Sequence, residues 1–435
     1  MSQTSRIAHI DSLRGVAVLL MVMVHSAATW NPFDGDQETI LAYLVSGLGG
    51  LAAPLFVTLF GWGMLRSKLN LKARTFQATF LLLCQILVNI FSPHLFNTLT
   101  PGILSLMALL TIIFPLIDYC LIKLNLSFIL ISTMIIMLVQ ILFPEVQGTG
   151  DWDDRVADNS ITILFSNLFL TGTYPLFPWI IFSILGATVS SLQINENQTL
   201  PIDKKTIPTV ILGLSFCIIT FIIAQYNGEL WAHPSSEAYL TFFPANYGFL
   251  IAAITGTLLI WLFIQRYILS FLVSTGRLSL TIYVFHFIPL SLMHRFDTQY
   301  EWGVGISASI VMLYTLIWAP ISWLWLKYFP KINLEKAQED LSDTVLKAKF
   351  NGRLTLSYLD FNETEKPYSF FIKDEHGSPI PLLNLKKILT FHEDIEIVYL
   401  EYPIDSKESQ SVNKFLSGII NIDEFYDYYV SMTIK

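Results

Sequence analysis

Ten long apolar stretches dominate the chain, and no fold in water could bury them all. They fall at about 13–31, 41–65, 75–92, 101–122, 127–143, 174–193, 207–225, 245–265, 278–293 and 304–326. The hydrocarbon core of a bilayer takes about 20 mostly apolar residues per helical crossing, so each stretch reads as a membrane span. Two further apolar pieces, Ile161–Leu170 and Tyr267–Val273, are too short to cross and read as re-entrant or interfacial helices. An eleventh crossing arises if the first of them is longer than it reads. Composition points the same way: 53% of the 435 residues are hydrophobic and only 14% are charged, against roughly 25% in an ordinary soluble domain. The expected fold class is an all-α polytopic transmembrane helical bundle of about 10–11 spans over residues 1–334. A small cytoplasmic α+β domain follows over 335–435.

The net charge of −8 excludes a general nucleic-acid binder. The three cysteines, Cys84, Cys120 and Cys217, each stand alone in an apolar run. They suit small buried hydrophobes better than a disulfide framework or a metal site, so no metal is expected.

Basic residues in the short loops set the orientation. With the N-terminus in the cytoplasm, Arg6, Arg14, Arg66, Lys68, Lys72, Arg74, Lys123, Lys204, Lys205, Arg266, Arg277, Lys327 and Lys331 fall inside, and only Arg155 and Arg295 fall outside. Both termini are therefore expected in the cytoplasm. Acidic residues gather on the outer side: Asp34, Asp36, Glu38, Glu145, Asp151, Asp153, Asp154, Asp158, Glu229, Glu237, Asp297 and Glu301. They read either as ordinary solvated loops or as a mouth that attracts an amino-bearing molecule.

Beyond Pro330 the composition turns polar. Glu335–Lys349 has helical spacing, and Gly352–Phe361, Tyr368–Lys373 and Ile395–Tyr402 carry strand-forming residues, with a turn at 374–377. Ser411–Tyr429 suggests one or two short helices. This region holds no phosphate loop, metal spacing or nucleophile motif, and its His376 and His392 read as surface or turn residues.

Ionisable groups inside a membrane are costly and mark candidate functional sites. In the first span, Asp11 and Arg14 stand three apart and share a helix face. They suit either an interfacial ion pair or an anion site in which Arg14 holds phosphate oxygens and Asp11 orients it. His25 lies fourteen residues beyond Asp11, about 21 Å deeper at 1.5 Å per residue. Near the ninth span, Arg277 precedes Ser279, Tyr283 and His286, whose spacing of four and three lines one face. That stripe reads as a cavity lining or as an interhelical hydrogen-bond seam. His94 and Asn97 in the Ser92–Pro101 turn either contact an acceptor or, like His233 and His294, are loop residues, the reading their setting favours.

Four of these segments resemble, in order, the motifs of the heparan-α-glucosaminide N-acetyltransferases and related bacterial membrane acyltransferases. Asp11-x-x-Arg14-Gly15 followed by Met21 is similar to the opening of the family's first span. Pro54-Leu-Phe56 with Gly61, Phe177-Pro178-Trp179 with Gly186, and Gly276-Arg277-x-Ser279 with Tyr283 and His286 are similar to its later helices. The resemblance spans about residues 6–330; the tail matches nothing recognised. One departure matters. The lysosomal enzyme's histidine sits in its first loop, whereas Asn31–Ile40 contains none, so His25 is the candidate from its position in this chain alone.

The resemblance implies an integral membrane acyltransferase. It would move an acetyl (acyl) group from cytosolic acetyl-CoA, a cosubstrate, to a hydroxyl or amine of a sugar-like or other polar acceptor. His25 would be the general base, alone or sharing proton transfer with His286, because imidazole titrates near neutrality. Tyr283 or Ser279 would donate to the oxyanion. Asp11, Arg14, Arg74 and Arg277 would form the acyl-CoA site. The alternatives are a proton-coupled transporter of a small polar solute, and a membrane anchor for the tail. The absence of matched broken helices speaks against the first, and the intramembrane polar residues against the second. Expected partners are acyl-CoA, a glycan or amino-bearing acceptor and the bilayer. A homodimer is a further expectation that no residue pattern specifies. A bacterial inner membrane is the expected location, since no eukaryotic targeting segment is recognisable.

Overall fold

A computed structural model describes residues 7–32, 45–67, 69–193, 199–203, 206–234, 238–346, 355–359 and 369–373. The expected strand at 395–402, the turn at 374–377 and the helices at 411–429 lie outside the described residues. So do Asp34, Asp36, Glu38, Lys68, Lys204, Lys205 and Glu237. By contacts the chain divides into Ile7–Leu346 and a second unit made of Met1–Arg6 and Lys347–Lys435. In the second unit the described residues form one antiparallel strand pair, Thr355–Leu359 with Ser369–Lys373.

The first unit is helical. Its principal helices are α1 (Ala8–Trp30), α2 (Ala52–Arg66), α3 (Leu71–Phe91), α4 (Ile103–Leu124), α5 (Ser127–Leu142), α6 (Leu176–Leu192) and α7 (Thr206–Asn227). Then follow α8 (Tyr247–Arg266), α9 (Val273–Arg277), α10 (Ser279–Phe285), α11 (Phe287–Leu292), α12 (Val304–Tyr328) and α13 (Leu334–Leu346). Seven helices among the described residues are long and apolar enough to cross a membrane unaided. Two bent pairs add to them: Ile161–Thr171 with Leu176–Leu192 at 47°, and Ser270–Arg277 with Ser279–Gln299 at 67°. Together with the shorter apolar α5 they fall on the ten stretches read from the sequence. The two short apolar pieces overlap the bent arms leading into α6 and α10.

Leucine, isoleucine and phenylalanine side chains on α5, α7 and α12 face outward. In α7 only 17% of the most apolar window is buried. Water would make such faces unstable, and lipid accepts them. The chain is a multi-pass integral membrane protein. Inside, α1 packs against α2, α8, α9 and α12, with Leu13, Val18 and Val22 fully buried along it.

Two crossings hold the bundle at close range, and both use glycines singled out above. At Gly276 a Cβ would overlap the carbonyl oxygen of Asp11, and at Gly15 it would overlap that of Leu272. Thus α1 and α9 touch backbone to backbone. The same holds for α2 and α6, where a Cβ on Gly61 would strike Ser183 and one on Gly186 would strike Thr58. Lipid supplies no hydrophobic drive between helices, so close packing through small residues does that work.

Two features position the site from opposite ends. The buried Arg155 donates to the carbonyls of Thr171 (3.1 Å), Gly172 (2.8 Å), Gln147 (3.1 Å) and Thr149 (2.5 Å), gathering the segment between α5 and α6 around one guanidinium. That segment braces the Ser92–Pro101 turn: Trp152 Nε1 donates to Leu95 O at 3.1 Å and Asn97 Nδ2 to Val156 O at 3.2 Å. At the other end, α13 docks through Glu335. Its carboxylate accepts from Leu280 N (2.7 Å), Thr281 N (3.2 Å) and Thr281 Oγ1 (2.5 Å), and Leu334 N donates back to Thr281 Oγ1 at 2.9 Å. The chain just past the last span thereby caps α10.

Candidate active site

α1 extends to Trp30 because nothing in Val16–Val24 interrupts it and Asp11 sits in its positively polarised first turn. It carries His25 far from that turn. The helix after Arg277 is broken twice, at Leu278 and at His286, and the second break turns His286 towards α1. His25 Nδ1 lies 2.9 Å from His286 Nε2. The ring centroids are 5.1 Å apart, with 14° between the planes. His286 is fully buried.

The protons on this pair follow from its partners. His286 Nδ1 lies 2.9 Å from the carbonyl of Ile282, and a carbonyl can only accept, so Nδ1 carries the hydrogen. Neutral His286 therefore presents a lone pair at Nε2, which receives the Nδ1–H of His25. The lone pair of His25 is left on Nε2, and no hydrogen bond among the described residues engages it. Two imidazoles and a backbone carbonyl thus fix one nitrogen as a proton acceptor. Phe287 packs on the His25 ring at 4.7 Å between centroids, and Tyr283 meets it edge-on at 6.5 Å. Tyr314 OH donates to the His286 carbonyl at 2.5 Å, bracing the break from α12.

The structure brings together His25, Tyr283 and His286 and leaves Ser279 apart. Ser279 shares a helix face with them, but seven residues separate it from His286, about 10 Å of rise. Among the described residues no hydrogen bond or ring contact joins it to the pair.

The arginines divide too. Arg14 Nη1 lies 3.3 Å from Asp11 Oδ1; its side chain is 37% exposed, that of Asp11 6%. Arg277 is exposed at the end of α9. Because Gly15 and Gly276 form the crossing, the adjoining Arg14 and Arg277 lie at the same end of the bundle. Arg74 is turned into the protein, donating to Leu69 O (3.1 Å) and Thr111 O (3.2 Å). Arg66 lies over the Trp62 ring at 4.3 Å and donates to Ser190 Oγ at 2.9 Å. His25 is eleven residues from Arg14 along α1, about 17 Å.

A second histidine pair stands one turn beyond His25. Thr29 Oγ1 donates to His25 O at 2.8 Å and lies 3.4 Å from His94 Nε2. The His94 and His294 rings stack at 5.0 Å. Burial, and next the neighbouring His294, pull the His94 imidazole down to about 4. Reading His94 and His294 as separate loop residues missed this pair. Two spacings hint at it: Thr29 follows His25 by four and His294 follows His286 by eight, one and two helical turns. Among the described residues no three His, Cys, Asp or Glu side chains cluster as a metal site would require.

The family model described as "Heparan-alpha-glucosaminide N-acetyltransferase, catalytic" matches residues 6–225, just over half of the chain. No curated protein matches the sequence. The matched region carries Asp11, Arg14, His25, Arg74 and His94; Arg277, Tyr283, His286 and His294 lie beyond it.

Proposed function

The chain belongs to the heparan-alpha-glucosaminide N-acetyltransferase catalytic family, and from that premise we propose that it transfers an acetyl group from acetyl-CoA to a hydroxyl or amine, with His25 as general base. The observation that carries this reading is the fixed tautomer of the histidine pair, which leaves His25 Nε2 as a proton acceptor. Acetyl-CoA enters at the Arg14–Arg277 end, where the guanidinium groups meet its phosphates. From there the thioester reaches inward along α1, a distance comparable with an extended pantetheine arm.

The chemistry then needs few groups. His25 Nε2 takes the proton of the acceptor's O–H or N–H as that atom attacks the thioester carbonyl. The imidazolium so formed is supported through its Nδ1–H by the lone pair of neutral His286. Tyr283, whose ring borders the pair, donates its hydroxyl to the developing oxyanion. On collapse the C–S bond breaks, and His25 returns the proton to the departing thiolate, giving CoA as the free thiol. A base so placed contributes roughly 10²–10⁴-fold. The arginine end faces the cytoplasm in this reading, as do both termini, and the acceptor comes from the opposite side. A bacterial inner membrane suits this arrangement, with residues 335–435 as a cytoplasmic domain.

The test uses full-length protein in detergent. Acetyl-CoA at 100 times its dissociation constant adds about 2.7 kcal/mol to the native state. A saturable rise in Tm should follow, weakened by Arg14→Ala and by Arg277→Ala. In acetyl-transfer assays His25→Gln should lose 10²-fold or more in kcat. The reading fails if alanine at both His25 and His286 leaves transfer within a fewfold of wild type. Solute uptake into proteoliposomes with no acetyl-CoA consumed would replace it with transport.

A further inference from the structure

We propose that His94 and His294 form a binding subsite for the hydrogen-bond-donating head of the acceptor, a primary amine or a hydroxyl-rich group. This rests on the transferase reading for its place in a reaction, though not for its chemistry. The protons decide that chemistry. Thr29 gives its hydrogen to His25 O, so at the Thr29–His94 contact the donor is His94 Nε2–H. That leaves the His94 lone pair on Nδ1, which is buried and has no partner among the described residues. His294 Nδ1 lies 2.6 Å from Ser291 O, so it donates there and the second lone pair is on His294 Nε2. Both atoms accept and neither donates. A buried acceptor left unmatched is costly, and a hydrogen-bond donor relieves that cost. Anions and carbonyl compounds are disfavoured for the same reason.

Position links this set to the reaction. Thr29 is one turn of α1 past His25, away from the arginine end. Trp30 Nε1, on the next residue, donates to Met293 O at 2.9 Å and ties the segment bearing His294 to the same helix end. The His94–His294 pair thus lies one turn of α1 beyond His25, on the side away from the arginines. Burial keeps the His94 ring neutral under mild acid, as a hydrogen-bond acceptor must be.

D-glucosamine, which carries both an amine and hydroxyls, is the probe. Its binding to full-length protein in detergent would be measured by calorimetry without acetyl-CoA, for wild type, His94→Ala, His94→Gln, His294→Ala and the control Glu339→Ala. We expect saturable binding to wild type, at least tenfold weaker binding to His94→Ala and His294→Ala, and partial recovery in His94→Gln, whose amide oxygen restores an acceptor. Glu339→Ala, at an exposed surface pair, should bind within threefold of wild type. Acetyl-CoA-dependent acetylation of glucosamine, measured alongside, separates the two proposals. Binding lost in the His94 and His294 variants without acetylation by any form sustains the subsite and sinks the transferase reading. Acetylation with glucosamine affinity unchanged in those variants does the reverse. No binding to wild type overturns the subsite, and so does a loss in His94→Ala matched by an equal loss of acetyl-CoA affinity, which would mark general collapse.

Discussion

Glu335→Ala tests whether the tail helix governs the shape of the candidate active site. The Glu335 carboxylate receives two backbone N–H groups and one hydroxyl at the start of α10. Loss of a helix cap costs about 0.5–2 kcal/mol, and a hydrogen bond to a charged group contributes about 1.5–3. The three bonds share one carboxylate and are not additive, so local opening of α10 should become easier by about 2 kcal/mol. That corresponds to roughly 30-fold in an opening equilibrium. Amide hydrogen exchange reads such openings directly. Followed by mass spectrometry over residues 279–292, exchange in Glu335→Ala should quicken by about that factor, with kcat falling as His286 spends less time against His25. Glu335→Gln keeps an oxygen for the backbone donors and should lie between. As a control, Glu339→Ala removes only an exposed surface pair with Lys336, worth less than about 1 kcal/mol, and should leave the segment unchanged. If exchange quickens in 334–346 alone, the capping argument is refuted: Glu335 would then hold the tail without supporting α10.

Gly276→Ala should push α9 off α1, because its methyl meets the Asp11 carbonyl and no flexible side chain can yield. Overpacking of this kind costs about 1–3 kcal/mol, and thermal unfolding should show the lower Tm together with weaker acetyl-CoA binding. An unchanged Tm would mean the helices are less tightly apposed than described. The acid limb of stability should carry a His94 signature. With its folded value near 4 and an unfolded value of about 6.5, the neutral ring is favoured by folding. That contribution is complete above about pH 6.5 and is lost as the pH falls towards 4. Wild-type Tm should therefore drop more between pH 7 and 5 than that of His94→Gln, and parallel curves would deny the burial of this ring.

The membrane spans were legible because a crossing leaves a local mark, a run of about 20 apolar residues, and breaks between runs are equally local. The histidine pair was half legible. His25 and His286 each stood out as ionisable groups in apolar surroundings, but their approach across 261 positions rests on helix breaks at Leu278 and His286. Ser279 shows the limit of spacing arguments: four and seven residues share a face, yet two turns of helix carry a side chain out of reach. Arg74 shows another. A basic residue at a helix start reads as a ligand for phosphate, whereas here backbone carbonyls take two of its donors. His94 and His294 were invisible as a pair because each sits in its own turn, brought together by the end of α1. The roles of the motif glycines become plain only at the crossings, where each faces a backbone on another helix.

Those crossings bear on where the catalytic unit ends. The family match stops at residue 225, and within it His25 has lost its partner. Without His286 nothing fixes the tautomer of His25, and without α9 nothing fills the groove at Gly15. The arginine end is divided the same way, Arg14 within the match and Arg277 beyond it. A fragment cut at the family boundary would keep the candidate base and lose the groups that orient it. The smallest piece with a complete site must run at least to Glu335, because the carboxylate that caps the His286 helix lies there.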